Sequence, residues 1–270
     1  TVLNRSPVAF FTESAETVFT NEIITFNASD SYDPDGVIVG YLWNFGDGTN
    51  TTGMVVDHAY ADDGNYTVAL TVSDDDGATD IATATKRVLN RSPLASFTES
   101  AETVYTDETI YFDASGSSDS DGSIASYFWD FGDGANASGV VVVHLYADNG
   151  SYTVTLMVTD NDGATDTTTS TKTVLNRPPV ALFTESAETV YTGETITFNA
   201  SNSYDSDGYI VSYFWDFGDG TNATGITAEH PYFLEGNFTV TLTVTDDDGA
   251  TASASAVKTV LNRPPVALFT

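Results

Sequence analysis

Between Gly64 and Asp74 large apolar residues recur on every second position, at Tyr66, Val68, Leu70 and Val72. This two-residue period is that of a strand with one face buried. Gly64 before it and the run Asp74-Asp75-Asp76-Gly77 after it are turn signals that close both ends. Shorter alternations precede it: Ala9 and Phe11 within residues 7–12, Ile24 and Phe26, then Tyr41, Trp43 and Phe45. A Thr- and Ala-rich strand over about residues 78–89 follows. The whole succession then returns, with Trp43, Trp129 and Trp215 spaced 86 residues apart and no insertion or deletion between them. About seven short strands per repeat, separated by turns and with no helical period, predict an all-β protein of tandem antiparallel β-sandwiches. Trp43, Trp129 and Trp215 are expected to plug the three cores, because their neighbours two residues away share one face of a central strand.

An 86-residue unit is long enough to bury its own core, so each repeat is expected to be an autonomous domain rather than a coil of a solenoid. The boundaries fall at the Asn that opens each copy. Residues 1–4 close a preceding repeat, residues 5–89, 90–175 and 176–261 form the three domains, and residues 262–270 open a following one. The chain thus starts and stops inside a repeat, and the array is expected to run on in both directions.

Charge narrows the partners. Eight Lys and Arg stand against 39 Asp and Glu, a formal charge of −31, which repels nucleic acid and anionic membranes and favours divalent cations. The few basic residues (Lys86, Arg87 and Arg91, Lys172 and Arg177, Lys258 and Arg263) are expected at the repeat junctions. With no cysteine in the chain, disulfides and thiolate metal sites are excluded. No apolar run reaches membrane-spanning length.

Five elements recur in order. In the first copy they are Asp-x-Asp-Gly at 33–36, Tyr-x-Trp-Asn-Phe-Gly-Asp-Gly at 41–48, His-x-Tyr at 58–60, Gly-x-Tyr-x-Val-x-Leu-x-Val-x-Asp at 64–74 and Gly-Ala-Thr at 77–79. Together they resemble the polycystic kidney disease (PKD) domain, and the resemblance covers every repeat end to end. Small departures are Asn44, which is Asp in the later copies, and Asn161 in place of Asp75. The resemblance implies an immunoglobulin-like sandwich of about seven strands, found in extracellular proteins of microbes and animals, with an archaeal surface protein as the expected setting. It implies adhesion, spacing or support of secreted hydrolases, and no catalysis. The Asp-Phe-Gly triplets are not a kinase signature, since no glycine-rich loop, catalytic loop or helical lobe accompanies them.

The candidate chemistry is an acidic cluster that only the fold assembles. In such a sandwich the loop before the third strand, the loop before the last strand and the N-terminal start of the domain share one end. That end collects Asn4, Asp33, Asp35, Asp74 and Asp76, then Asn90, Asp119, Asp121, Asp160 and Asp162, then Asn176, Asp205, Asp207, Asp246 and Asp248. Four carboxylates so placed repel unless protonated or bridged by a cation, and calcium (Ca2+) takes six to eight hard oxygens in irregular geometry. Asp before Gly also reads as ordinary solvated turn chemistry. PKD-like domains of secreted collagenases, which the repeats resemble, bind calcium through the opening Asn and these two loops. An EF-hand is excluded by the lack of flanking helices and by Thr85 at the twelfth position after Asp74. At the opposite end of each domain, Glu13 and Glu16, with Glu99 and Glu185 in later copies, are expected either to face the next domain's cluster or to be simple turn charges.

Ten Asn-x-Ser/Thr sequons occur, at Asn4, Asn27, Asn50, Asn65, Asn90, Asn136, Asn149, Asn199, Asn222 and Asn237. Only the column Asn50, Asn136 and Asn222 keeps the sequon in all three copies while its tripeptide changes, from Asn-Thr-Thr to Asn-Ala-Ser and Asn-Ala-Thr. Following a Gly-Asp-Gly turn, it is the expected glycosylation column. His58, His144 and His230 stand alone in their repeats and are expected to be structural. Phe10, Phe19, Tyr32, Tyr105, Tyr191, Tyr204 and Tyr209 lie outside the core columns and are candidates for contact with a polysaccharide.

The expected function is therefore non-catalytic: an extracellular stalk, filament or surface coat, stiffened by calcium at its junctions, N-glycosylated and associating with neighbouring copies. An adhesive or carbohydrate-binding spacer of a secreted hydrolase is the alternative.

Overall fold

A computed structural model describes residues 3–267, so the first two and last three residues of the two partial repeats lie outside the described residues. In the first copy the strands are β1 (Thr12–Glu13), β2 (Thr17–Phe19), β3 (Ile23–Asn27), β4 (Ile38–Asn44), β5 (Asn50–Thr52), β6 (Val55–Ala59), β7 (Gly64–Asp74) and β8 (Thr79–Leu89). The second and third copies repeat these as β9–β16 and β17–β24. Every regular element among the described residues is a strand.

Each copy is a sandwich of a three-stranded sheet, β1-β3-β6, and a five-stranded sheet, β2-β8-β7-β4-β5. All pairings are antiparallel except that of β2 with β8. Alternation along β7 turns Val68, Leu70 and Val72 inward, where they are fully buried with Ile24, Phe26 and Trp43. Trp43, Trp129 and Trp215 have no exposed surface, and the Trp43 indole donates to the Gly53 carbonyl at 2.8 Å. The expected sandwich is thus present, with eight strand segments per copy because the opening strand is divided.

That division departs from the expected strand over residues 7–12. Val8 makes only an isolated bridge to Tyr32, and the strand proper is confined to Thr12–Glu13. Side chains replace the ladder: the Ala9 amide donates to Asp80 at 2.8 Å and the Phe10 amide to Ser31 Oγ at 3.0 Å. Ala9 and Phe11 still pack against the core. A backbone whose donors are met by side chains has no need of a neighbouring strand.

A second departure concerns the lysines. Lys86, Lys172 and Lys258 are not at the junctions; they are fully buried within each domain, paired with Glu13, Glu99 and Glu185. The strand period decides this, because Lys86 shares the inward face of β8 with Val88. Glu13 therefore does not face the next domain. An ion pair buried this deeply is held together by the cost of leaving either charge alone.

Candidate functional site

The β3–β4 and β7–β8 loops meet at one end of each sandwich, together with the opening Asn. The Asn4 amide donates to Asp74 Oδ2 at 3.0 Å, as Asn90 does to Asp160 and Asn176 to Asp246, both at 2.9 Å. Asp74, Asp160 and Asp246 are buried. Asp74 Oδ1 accepts the amides of Asp76 at 3.1 Å and Ala78 at 2.7 Å, which folds the turn around it. Burial would push this carboxyl up, but the Asn4 amide and these backbone donors hold it below the ordinary carboxylate value, and Asp160 likewise. Asp76, Asp162 and Asp248 are exposed at the turn tips. Partial desolvation and the charges of Asp63, Asp160, Asp119 and Asp121 push Asp162 up.

The β3–β4 loop supplies the other carboxylates. Asp33 Oδ1 accepts the Asp35 amide at 3.2 Å and Asp119 Oδ1 the Asp121 amide at 3.4 Å. A residue not foreseen laces the two loops together: Asp75, Asn161 and Asp247 accept the amides of Val37, Ser123 and Tyr209 at 3.0, 2.7 and 3.0 Å. That contact needs one side-chain acceptor oxygen, which carboxylate and amide supply alike, so Asn161 can stand in the second copy, where its Nδ2 also donates to Asp162 Oδ2 at 2.7 Å. Gly122 fits between these groups because a Cβ would lie 2.8 Å from Asp119 Oδ2 and closer still to Asn161 Oδ1.

The preceding domain closes the site. The Thr20 hydroxyl donates to Asp121 and that of Thr106 to Asp207, each 101 residues away. The amides of Arg91 and Arg177 reach the same carboxylates at 2.9 Å. The Arg91 guanidinium folds back onto the first domain, donating to Thr20 O at 3.4 Å and Glu22 at 3.0 Å and covering the Phe19 ring at 5.2 Å. Arg177 repeats this with Thr106 O and Glu108, both at 3.2 Å, and Tyr105 at 5.4 Å. The junction is thus built from residues 19–22, and Phe19 and Tyr105 are committed to it. Burial pushes Asp119 up, as does its proximity to Asp121 and Asp160. In Asp121 burial is more than offset by the Thr20 hydroxyl and the Arg91 amide, which hold it low. Asp205 and Asp207 divide in the same way.

Even so, donors run out. Asp33 Oδ2, Asp119 Oδ2, Asp121 Oδ1, both oxygens of Asp205 and Asp207 Oδ1 are buried without a hydrogen-bond partner. Among the described residues no three His, Asp or Glu side chains are already gathered as a metal-holding group. The donor set is nonetheless one of hard, anionic, unsatisfied oxygens, of the kind that hard cations such as calcium or magnesium take.

At the opposite end the aspartate of the Phe-Gly-Asp-Gly turn has both oxygens met. Asp47 takes the amide and hydroxyl of Thr49 at 2.9 and 2.6 Å on one oxygen and His58 Nε2 at 2.7 Å on the other. The His58 ring stacks on Phe45 at 3.9 Å, and the Tyr60 hydroxyl donates to Phe45 O at 3.1 Å. These contacts override burial and hold Asp47, Asp133 and Asp219 below the ordinary value. The histidines are structural, as expected from their isolation. The sequence analysis missed that the Asp of Phe-Gly-Asp-Gly is their partner, a pairing visible only as one Asp and one His in every copy.

Asn50, Asn136 and Asn222 each begin the edge strand of a five-stranded sheet, β5, β13 (Asn136–Ser138) and β21 (Asn222–Thr224), with exposed side chains.

The PKD domain family model matches residues 4–88, 90–174 and 176–260. The chain is 42% identical over 136 residues to the pre-pro-metalloprotease PrtV of Vibrio cholerae, covering 50% of this chain and 14% of that protein. It is 32% identical over 260 residues to the human dyslexia-associated protein KIAA0319, covering 86% of this chain and 24% of the relative. A microbial collagenase of Vibrio alginolyticus is 45% identical over 82 residues, 30% of this chain and 10% of its own length. The chain therefore spans a quarter or less of each of these relatives. The crystal structure of the PKD1 domain of Vibrio cholerae PrtV aligns at 39% identity with a TM-score of 0.28, covering 31% of this chain and 98% of that domain.

Proposed function

The chain belongs to the PKD domain family, three consecutive copies of which fill it, and we propose that they form a stiff, non-catalytic spacer of an extracellular protein, with calcium at the acidic junctions. The observation that carries this reading is the repeated direct seat of one domain on the next, Thr20 on Asp121 and Thr106 on Asp207 with an arginine clamp beside each. Two flexibly tethered domains have no need of a matched contact; a strut does.

Calcium would be held by Asp119, Asp121, Asp160 and Asp162 with the Asn90 side chain, and by the corresponding residues around Asn4 and Asn176. It would supply the positive charge that the orphaned oxygens lack. Asp121 and Asp207 are half-buried beneath the preceding domain, a head-to-tail contact made alike at both junctions, which favours an end-to-end stalk or filament. N-glycans on Asn50, Asn136 and Asn222 complete the reading.

The test is calcium titration of the three-domain chain with thermal unfolding and small-angle scattering. Calcium raises the unfolding temperature and narrows the spread of interdomain distances, and chelator reverses both. Insensitivity of both to chelator sinks the calcium-stiffened spacer. A second reading, an adhesive spacer beside a secreted hydrolase, is favoured by the exposed rings of Tyr32, Tyr204 and Tyr209, at 58, 53 and 65% exposure. Retention of the array on insoluble polysaccharide, lost on replacing these tyrosines, would support it.

A further inference from the structure

The outer faces of the five-stranded sheets have a composition unlike the rest of the chain. In a protein with 39 acidic residues, the middle of the second domain's face carries Thr155, Met157 and Thr159 on β15 (Gly150–Asp160) and Thr165, Thr167 and Thr169 on β16 (Thr165–Leu175). The corresponding positions in the first domain include Thr71, Ile81 and Thr83, and in the third Thr243, Ser253 and Ser255. Charge appears only at the strand ends, in residues such as Asp130 and Asp216.

Beside this hydroxyl-rich surface each copy exposes an apolar side chain on the strand next to the sheet edge. Leu42 on β4, Phe128 on β12 (Ile124–Asp130) and Phe214 on β20 (Ile210–Asp216) are 50, 40 and 43% exposed. Their cross-strand partners are Thr52, Ser138 and Thr224, the hydroxyl residues of the three recurring sequons. A shallow groove runs past them, lined by Phe128, Ser138 and Val140 in one copy and Phe214, Thr224 and Ile226 in another.

We infer that the glycan carried by Asn50, Asn136 or Asn222 lies back over this uncharged groove, with its first sugars packed on Leu42, Phe128 or Phe214. The inference rests on the N-glycan reading above and goes beyond it by assigning the sugar a seat on the protein.

Register provides the geometry. Asn136 lies opposite Asp130, and Ser138, two residues on, lies opposite Phe128. Strand alternation puts Asn136 and Ser138 on the outer face and turns Ala137 inward against the core. The asparagine is therefore about 7 Å along the strand from the residue facing Phe128, a span shorter than two linked pyranose rings. The fold asks only that the middle residue be small; nothing in the core requires Asn before it or a hydroxyl after it. Asn4, Asn90 and Asn176 by contrast have their amides bound to Asp74, Asp160 and Asp246.

The chemistry of the groove suits a neutral sugar. A pyranose presents C–H groups on one face and hydroxyls at its rim, and the groove presents an apolar side chain bordered by Thr and Ser hydroxyls, with no charge to desolvate. A glycan there also answers a structural need, since β5, β13 and β21 are the open edges of their sheets and invite pairing with another chain. Attachment forms the bond between Asn Nδ2 and the anomeric carbon of a diphosphate-activated oligosaccharide. The bond to the diphosphate breaks, and the amide proton is released.

The experiment uses the three-domain chain secreted from a host with N-glycosylation, before and after enzymatic removal of the glycans. Mass spectrometry of the peptides reads occupancy, which is expected at Asn50, Asn136 and Asn222. Removing the glycans is expected to lower the unfolding temperature, and the Phe128→Ala/Phe214→Ala variant, whose core is untouched, is expected to lose at least half of that difference at unchanged occupancy. Unoccupied sites would overturn the glycan reading itself. Occupied sites with the full difference retained in the double variant would overturn only the seat on the groove. Self-association of the glycosylated chain that the double variant abolishes would assign the face to a second copy, and overturn it too.

Discussion

Asp133 and Asp119 are both loop aspartates of the second domain, but they sit at opposite ends of it and in opposite states. Asp133 receives the Ala135 amide at 2.9 Å and His144 Nε2 at 2.7 Å. Asp119 receives one long amide contact, faces other carboxylates and keeps a buried oxygen with no partner. A carboxylate whose donors all come from its own domain is a brace, complete when the domain folds. One whose donors are too few is a socket, completed by something outside the domain. The difference divides into two kinds the aspartates that this chain carries at both ends of each domain.

Both ends hang from the same core, so the most severe test removes what they share. Trp129 is fully buried, within 5.6 Å of Phe112 and 5.1 Å of Phe97 between ring centroids. Trp129→Ala is expected to cost about 3–5 kcal/mol and to abolish brace and socket alike, measured as loss of the second domain's transition in calorimetry. Survival of the calcium response at the second domain would show that the socket is independent of the core.

The next effect separates the two ends. A ligand that binds only the folded state stabilises it by about 2.7 kcal/mol at a hundredfold excess over its Kd. Calcium at that excess is expected to raise the stability of the second domain by about this amount in the wild-type chain and by much less in Asp119→Asn/Asp121→Asn, while Asp133→Asn keeps the full response. Denaturant titration with and without chelator checks it. An equal calcium response in all three would erase the distinction between the ends.

Strand period, repeat length and core were legible in the sequence because they rest on local alternation: Trp43, Val68, Leu70 and Val72 lie where the two-residue period puts them. The loops were legible too, since both Asp runs sit beside turn glycines and sandwich topology brings them to one end. The lysines and the junction were not. Lys86 is inward only because β8 keeps its register to its last turn, and charge at a repeat boundary gives no hint of that. Thr20 and Glu22 carry no motif; what selects them is the height at which β2 ends beside β8, a tertiary property. Glu13 lies towards the same end of the sandwich, but it turns in against Lys86 of its own domain, whereas Glu22 reaches Arg91 across the junction.

A smaller effect belongs to the brace alone. Asp133→Ala leaves His144 and the Ala135 amide without an acceptor, expected to cost about 1–3 kcal/mol. The pH dependence carries a definite sign. Because the folded state holds Asp133 below its ordinary value despite burial, its contribution is present above the unfolded carboxylate value and is lost as pH falls through the lower folded one. Acid unfolding of Asp133→Asn should therefore show a shallower loss of stability over that window than wild type. An unchanged acid limb would mean that other carboxylates set it.

The smallest effect lies at the seam between socket and preceding domain. The Arg91 side chain is about two-fifths exposed and its partner Glu22 nearly half, so the ion pair contributes little energy, about 0.2–1 kcal/mol. Arg91→Ala and Arg177→Ala should hardly move the unfolding of any single domain. Their consequence is geometric: without the guanidinium bridging Thr20 O, Glu22 and the Phe19 ring, only the Thr20 hydroxyl and the linker fix the second domain's orientation on the first. In calcium-free solution the double variant should show a broader distribution of interdomain distances by small-angle scattering, and calcium should restore much of it if the ion is the stronger tie. Broadening that calcium cannot reverse would make the arginines the stiffening element, whereas no broadening would place stiffness in the Thr–Asp contact and the short linker.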